Sequence, residues 1–182
     1  MRRANHRREQ ARRSGGFSLL ELVVVVGIVA LLTSIAADRF LRYVELAEKA
    51  NMETIVSSMK SALALKFAGL YLAGRYDEIG TLGSQNPFDW LAQRPGTYVG
   101  ELTDPRLEDL PRGAWYFDRA TRLMVYMPAR TRHLVPDRTG DPRIRFVMTV
   151  DFRSGPENSA GRSLERLDIA PSQPHNWFRD LQ

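Results

Sequence analysis

The feature that most constrains this chain is an uninterrupted apolar run near its N-terminus. Residues 22–37 include no charged side chain, and Val, Ile, Leu and Ala predominate among them. Counted from Phe17, the run has 21 residues and would span about 31 Å as an α-helix, enough to cross the hydrocarbon core of a bilayer. Glu21 is the fifth residue of this run. Because a carboxylate in hydrocarbon is costly, Glu21 is a candidate functional residue that needs a charged partner.

The segment before the run is strongly basic. Residues 1–16 hold six arginines and a single acid, Glu9, for a net charge of +5. Basic flanks stay on the cytoplasmic side of a membrane, so we expect the C-terminal part of the chain on the opposite side. An ordinary secretory signal carries small residues for cleavage after its apolar region, whereas Gly15 and Gly16 lie before this one.

Residues 16–21, Gly-Phe-Ser-Leu-Leu-Glu, follow a basic leader and open an apolar helix. In this they resemble the class III signal of type IV pilins and type II secretion pseudopilins, over roughly residues 10–45. The resemblance implies that a prepilin peptidase cuts between Gly16 and Phe17 and that Phe17 is then N-methylated. It also implies that the new ammonium group pairs with Glu21 between neighbouring subunits. A plain signal anchor, whose Glu21 reaches the lipid headgroups, is the alternative.

Removal of the leader would change the charge of the chain. The whole sequence has a net charge of +5, but the residues from Phe17 onward hold 20 basic and 20 acidic side chains. This neutrality argues against nucleic acid as a partner. The chain has no cysteine, so a domain outside the cytoplasm must be held together by its core. Many type IV pilins close a loop with a disulfide, so within the family the absence favours a pseudopilin or a minor pilin.

Helical periodicity continues after the apolar run. We predict one helix over residues 17–73, with residues 17–38 as its transmembrane and assembly half and residues 39–73 as an amphipathic half packed under a head domain. The resemblance implies the same division, and continuity of the helix near Asp38 stays open. The apolar residues of the second half follow one another at spacings of three and four: Met52, Ile55, Val56, Met59, Leu63, Phe67 and Leu70.

Residues 74–182 are expected to form the head. Turn-forming residues between 76 and 111 predict a long connecting loop. Strands are predicted in a hairpin and in two later segments, and the tail from residue 171 is expected to be a loop pinned by Trp177 and Phe178. The predicted strands are residues 114–117, 122–127, 143–152 and 164–169. The expected fold is therefore α+β and pilin-like, with a long N-terminal helix packed on a small antiparallel sheet.

The sequence contains no recognisable catalytic motif, so we predict a protein that is not an enzyme. His133 and His175 fall in expected loops without further ligand-type residues, and we interpret them as solvated surface. The resemblance brings calcium into consideration, because major pseudopilins bind it in a C-terminal loop. Asp137 and Asp141 could contribute to such a site. Arginines crowd this loop, so we expect an ordinary turn and no cofactor.

Charges are segregated along the head sequence. Residues 77–109 carry a net charge of −5, and residues 119–145 carry +5. Solvated faces or neutralisation within the head would account for this pattern. The alternative is a pair of complementary patches that meet between subunits, with Arg143 and Arg145 on one side and Glu108 and Asp109 on the other.

Together these features predict a structural filament subunit, most of all a type II secretion pseudopilin. A minor or accessory type IV pilin that captures DNA or another ligand is the alternative, and an unrelated membrane-anchored sensor domain is a third. The first two imply prepilin peptidase, other pilin or pseudopilin subunits and an inner-membrane assembly platform as partners. They imply a single-pass protein of the bacterial inner membrane with a cytoplasmic N-terminus and a periplasmic head. Its filament would lie in the periplasm or outside the cell.

Overall fold

A computed structural model of the 182-residue chain describes residues 18–136, 140–154 and 162–178. The chain divides into two compact units, Met1–Arg42 and Tyr43–Gln182. Helix α1 (Leu19–Leu72) contributes residues to both units. Its bounds agree closely with the predicted helix, and its helical assignment is unbroken at Asp38.

The described part of the first unit consists of the start of α1. Every side chain from Ser18 to Arg42 is exposed in this unit. By length and composition α1 qualifies as a helix that could cross a membrane, and none of its most apolar 18-residue window is buried. The apolar surface of this half therefore needs an environment other than water, either lipid or other apolar helices.

In the second unit, α1 carries the buried stripe that its periodicity predicts. Met52, Met59 and Leu63 are almost completely buried, and Val56 and Leu70 are also in the core. The C-terminal end of α1 forms a Schellman motif, in which Arg75 N–H donates to Leu70 O (2.9 Å) and Gly74 N–H donates to Tyr71 O (3.1 Å). Gly74 has φ +71°, the left-handed conformation that glycine adopts without strain.

The region predicted as a long loop contains short helical elements. Helix α2 (Tyr76–Ile79) is followed by two 3₁₀ turns, Leu82–Ser84 and Pro87–Trp90. These elements are anchored by Ile79, Leu82 and Phe88, whose side chains are completely buried. Turn residues interrupt any helical or strand periodicity in this segment. The segment nevertheless packs on the domain, because these apolar side chains are fully buried.

The main sheet among the described residues has five strands in the order β1-β2-β3-β5-β6, and β4 pairs with β7 in a separate two-stranded sheet. The strands are β1 (Tyr98–Leu102), β2 (Trp115–Asp118), β3 (Leu123–Tyr126), β4 (Leu134–Val135), β5 (Ile144–Ser154), β6 (Arg162–Pro171) and β7 (Asn176–Trp177). The predicted hairpin corresponds to β2 and β3, and the two later predicted strands correspond to β5 and β6, so these predictions are confirmed.

The prediction of an antiparallel sheet is wrong at one position, because β1 pairs with β2 in parallel. Strand β1 lies in the region predicted as loop, where Gly100 weakens the strand signal. The connection between the two strands, residues 103–114, includes a 3₁₀ turn at Leu107–Asp109. Its length is what a crossover between parallel strands requires. The sheet is therefore mixed, and the α+β class is confirmed.

The tail also differs from its prediction. Strand β6 extends to Pro171, and the residues after it lead into β7, which pairs Leu134 with Trp177 and Val135 with Asn176. The Trp177 side chain is buried, so its predicted role in pinning the tail is confirmed.

An aromatic cluster joins the sheet to the other core residues. The ring centroid of Trp115 lies 4.9 Å from that of Tyr126 and 5.7 Å from those of Phe88 and Phe146. The buried stripe of α1 belongs to the same core, in which Met59 lies among the sheet residues. The amphipathic half of α1 therefore packs on the sheet, as the sequence predicts.

We expect Met59→Ala to destabilise the head by about 2–5 kcal/mol, because the Met59 side chain is completely buried and its loss would leave a cavity. The free energy of unfolding from chemical denaturation of the full chain measures this. The control is Leu65→Ala on the same helix, where the side chain is 75% exposed and the change should stay within about 0.5 kcal/mol. Equal effects of the two substitutions would contradict the assigned orientation of α1.

Candidate functional site

The start of α1 carries a side-chain N-cap, in the sequence pattern of a capping box, that the sequence analysis overlooked. Ser18 precedes the first helical residue, and its Oγ accepts a hydrogen bond from Glu21 N–H at 3.1 Å. Ser18 is therefore the N-cap and Glu21 the third helical residue, which is the S-x-x-E arrangement of a capping box. The sequence signal for this cap is Ser18 at the start of the apolar run, with Glu21 three residues later.

Glu21 lies in the first turn of α1, and its side chain is exposed in the first unit. The unpaired N–H groups of a helix N-terminus give it partial positive charge, which favours a carboxylate there. Gly16 and Phe17, and the predicted cleavage point between them, lie outside the described residues. The arrangement leaves Glu21 able to accept hydrogen bonds from an ammonium group.

The head contains a buried carboxylate at Glu45, which the sequence analysis did not identify. Its side chain is 2% exposed, and its Oε1 accepts hydrogen bonds from His133 N–H (3.0 Å) and Trp177 Nε1–H (2.9 Å). Its Oε2 lies 2.7 Å from His133 Nδ1. Burial opposes ionisation, but the hydrogen bonds from His133 and Trp177 outweigh it and hold the pKa of Glu45 below its usual range.

The prediction that both histidines of the head are solvated surface is wrong, because His133 contacts other side chains and His175 is half-buried. The His133 ring stacks on Phe178, with ring centroids 4.9 Å apart, and contacts Glu45 on α1. His175 is half-buried, and burial lowers the pKa of its imidazole. The described residues include no cluster of three or more side chains of the types that bind metals.

Glu48, one turn after Glu45, holds the chain that follows β3. Its Oε1 accepts hydrogen bonds from Tyr126 Oη–H (3.0 Å) and Ala129 N–H (2.6 Å), and Arg130 Nη1 lies 3.5 Å from its Oε2. Glu45 precedes the buried Met52 by seven residues, so it lies on the buried stripe of α1. A glutamate seven residues before a buried methionine of the same helix was the sequence signal for a buried carboxylate that holds other segments of the head.

Arg143 and Arg145, predicted as patch residues, both bind Asp141. Arg143 Nε donates to Asp141 Oδ2 at 2.8 Å, and Arg145 Nη2 also donates to that oxygen. These bonds outweigh burial and hold the pKa of Asp141 below its usual range. Arg143 N–H also donates to Asp141 Oδ1 at 2.9 Å, as in an Asx turn. Asp137, the other acid considered for calcium, lies outside the described residues.

Arg143 is further tied to the head by its contacts with Tyr116 Oη (3.3 Å) and Pro105 O (3.4 Å). The side chains of Arg143 and Arg145 are only 17% and 26% exposed. Charge reversal at these two positions would therefore disturb the fold of the head together with any contact to another subunit.

The acidic pair Glu108 and Asp109 lies in the exposed 3₁₀ turn between β1 and β2. The Glu108 side chain is 76% exposed and lies 3.7 Å from Arg106. Other charges of the two segments also pair within the head. Glu101 of the acidic segment pairs with Arg119 of the basic segment, Asp89 pairs with Arg94 inside the acidic segment, and Arg130 of the basic segment pairs with Glu48 on α1. Neutralisation within the head thus accounts for part of the charge segregation.

We expect Glu45→Ala to lower the free energy of unfolding by on the order of 3 kcal/mol, because it removes the partner of one buried donor, Trp177 Nε1–H, and of two part-buried groups of His133. The control is Glu53→Ala on the same helix. The Glu53 side chain is 61% exposed, and its ion pair with Lys49 contributes about 1 kcal/mol or less. Chemical denaturation at neutral pH measures both variants.

The pH dependence supplies a second test of the same carboxylate. The pKa of Glu45 is lowered in the folded state from 4.5. Its ionisation therefore contributes stability that is present above pH 4.5 and is lost as the pH falls towards the folded pKa. The stability advantage of the wild type over Glu45→Gln should shrink in that acidic range, and a constant advantage there would contradict the assignment.

Two comparisons with known proteins bear on the N-terminal region. The family described as the prokaryotic N-terminal methylation motif matches residues 11–37. The chain is also 36% identical over 53 residues to "Type IV narrow pilus major component PilA5" of Thermus thermophilus. That alignment covers 29% of this chain and 46% of the relative, so the chain spans less than half the length of the relative it matches. No solved structure matches the chain.

The matched motif includes the last six residues of the basic leader, the expected cleavage point, Ser18 and Glu21. The exposed apolar start of α1 and the mixed-sheet head are consistent with the fold that this motif implies. In its N-terminal signal and the long helix that follows, the chain is similar to type IV pilin-family proteins.

Proposed function

We propose that this protein is a non-enzymatic subunit of a pilin-type filament, made as a precursor anchored in the bacterial inner membrane. The observation that carries the proposal is the methylation motif over residues 11–37, continued by an exposed apolar helix. The basic leader would keep the N-terminus in the cytoplasm and place the head in the periplasm.

In this proposal, prepilin peptidase cuts between Gly16 and Phe17, and Phe17 becomes the methylated N-terminus. The cut creates an ammonium group close in sequence to the helix start that Ser18 caps. The exposed Glu21 of a neighbouring subunit would pair with this ammonium group, because each charge lowers the cost of keeping the other ionised in a medium of low dielectric constant. The pairing would set the axial register of subunits, and an inner-membrane platform would add them to the fibre.

We propose a type II secretion pseudopilus as the filament. The support for this choice is the lack of cysteine in the whole chain, since many type IV pilins close a loop with a disulfide. The second candidate is a minor or accessory type IV pilin, and the name of the Thermus thermophilus relative as a pilus component favours it. Deletion of the gene distinguishes the two: loss of exported enzymes from the medium supports the first, and loss of surface fibres supports the second.

The first experiment is intact-mass analysis and N-terminal sequencing of protein isolated from native membranes. We expect a chain that begins at Phe17 and is heavier by one methyl group than its sequence requires. Glu21→Gln should be cut in the same way but should fail to enter filaments, because it lacks the charge for the ammonium group. Glu53→Gln, a change at an exposed position of α1, is the matched control. An intact leader, or a cut after the apolar run, would contradict the proposed processing.

The predicted subunit contact at the acidic turn is tested with the double variant Glu108→Lys and Asp109→Lys. Both side chains are exposed, so we expect an unchanged Tm and a filament yield reduced several-fold through like-charge repulsion. The matched control reverses the exposed Glu53 and Asp151 to lysine. Filament yield from sheared cells or purified assemblies is the measurement. Equal yields for the two double variants would exclude a specific contact at this turn.

A further inference from the structure

A polar cleft of about 400 Å³ opens in the head beside the turn between β2 and β3. This volume lies in the range of small-molecule sites. The cleft is formed by three segments that are separate in sequence: residues 84–90, strand β1 and the hairpin of β2 and β3. Its lining residues all belong to the second unit.

The polar groups of the cleft are held in place by one another. Asn86 is 7% exposed, and its Oδ1 accepts a hydrogen bond from Phe88 N–H at 3.1 Å. Its Nδ2 donates to Tyr98 Oη (2.8 Å) and to Glu101 Oε1 (3.0 Å). The other Glu101 oxygen accepts from Arg119 Nε at 2.6 Å. A network in which each member fixes the next is a preorganised recognition surface.

The cleft also combines charge with aromatic surface. Hydrogen bonds from Arg119 and then Asn86 hold the pKa of Glu101 below its usual range, so this carboxylate acts only as an acceptor at neutral pH. Trp90 is half-buried and Phe117 is 5% exposed, and both line the cleft. Hydrogen-bond donors, acceptors and aromatic rings thus face one small volume.

Arg122 stands apart from this network. Within residues 18–136, 140–154 and 162–178, its guanidinium has no hydrogen-bond or ion-pair partner, whereas Glu101 pairs with Arg119 and Asp89 with Arg94. Asp89, Glu101, Arg119 and Arg122 line the cleft, so its lining has no net charge, and Arg122 is the one of these four without an ion-pair partner among the described residues. Arg122 also adopts φ +57°, a left-handed conformation that strains a residue other than glycine. This conformation closes the turn between β2 and β3, in which Arg122 N–H donates to Asp118 O at 2.7 Å.

We propose that this cleft binds a single sugar unit that bears one carboxylate, such as a uronic acid in glycosidic linkage. The carboxylate would bind Arg122, because a guanidinium matches a carboxylate in charge and geometry. The apolar face of the sugar ring would lie against Trp90, and its hydroxyls would exchange hydrogen bonds with Glu101 and Arg119, which Asn86 helps to position. This inference goes beyond the proposed filament role and holds for either type of filament.

The test uses isothermal titration calorimetry on the full chain, in a detergent without a sugar headgroup. The probes are methyl β-D-glucuronide and methyl β-D-glucoside, which differ only by a carboxylate in place of a hydroxymethyl group. We expect saturable binding of the glucuronide, at least about tenfold tighter than that of the glucoside, as the loss of one charged hydrogen bond predicts. Equal affinities, or no saturable binding of the glucuronide, would overturn the proposal.

Arg122→Gly separates loss of binding from loss of folding. Glycine relieves the left-handed strain, so we expect this variant to have an unchanged or higher Tm and yet to lose the preference for the glucuronide. Arg122→Gln should lose the same preference. The control is Arg112→Gln, which removes one exposed charge outside the cleft and should bind as the wild type does. Unchanged glucuronide affinity in Arg122→Gly would overturn the assignment of the carboxylate to Arg122.

Discussion

The fold of the head depends on the burial of one stripe of α1 against one face of the mixed sheet. Met52, Met59 and Leu63 enter the same core as Trp115 and Phe146. Each large apolar side chain that leaves water contributes about 1.5–3 kcal/mol. Because the chain has no cysteine, no disulfide shares this task, and the core must offset the conformational entropy of the whole domain.

Two glutamates on α1 add specificity to this non-directional burial. A two-residue strand such as β7 has little stability of its own. Its position is defined because Trp177 and His133 both donate to Glu45, while Glu48 holds the chain after β3 in the same way. A buried carboxylate is tolerated here because donors surround it, and replacing it without replacing the donors leaves them unsatisfied. Hydrogen bonds, and not a covalent link, thus hold the C-terminal segment on the helix.

The two proposals rest on features of different units. The apolar half of α1, with Ser18 and Glu21 at its start, supplies the features on which the filament proposal rests. The head neutralises many of its own charges, and Arg122 keeps an unpaired one at the polar cleft among the described residues. In the two proposals, the start of α1 serves membrane insertion and assembly, and the surface of the head serves recognition.

The sequence by itself determined the helix, the hairpin, β5 and β6, because each has a periodic pattern that depends only on neighbouring residues. It also determined the N-terminal signal, whose residues are contiguous. Only the tertiary structure decided that β1 pairs in parallel with β2, that His133 meets Glu45 and that Asp141 binds Arg143 and Arg145. The cleft around Asn86 and Arg122 belongs to the same class. Such contacts join residues far apart in the chain, or depend on how a loop closes, and no local periodicity encodes them.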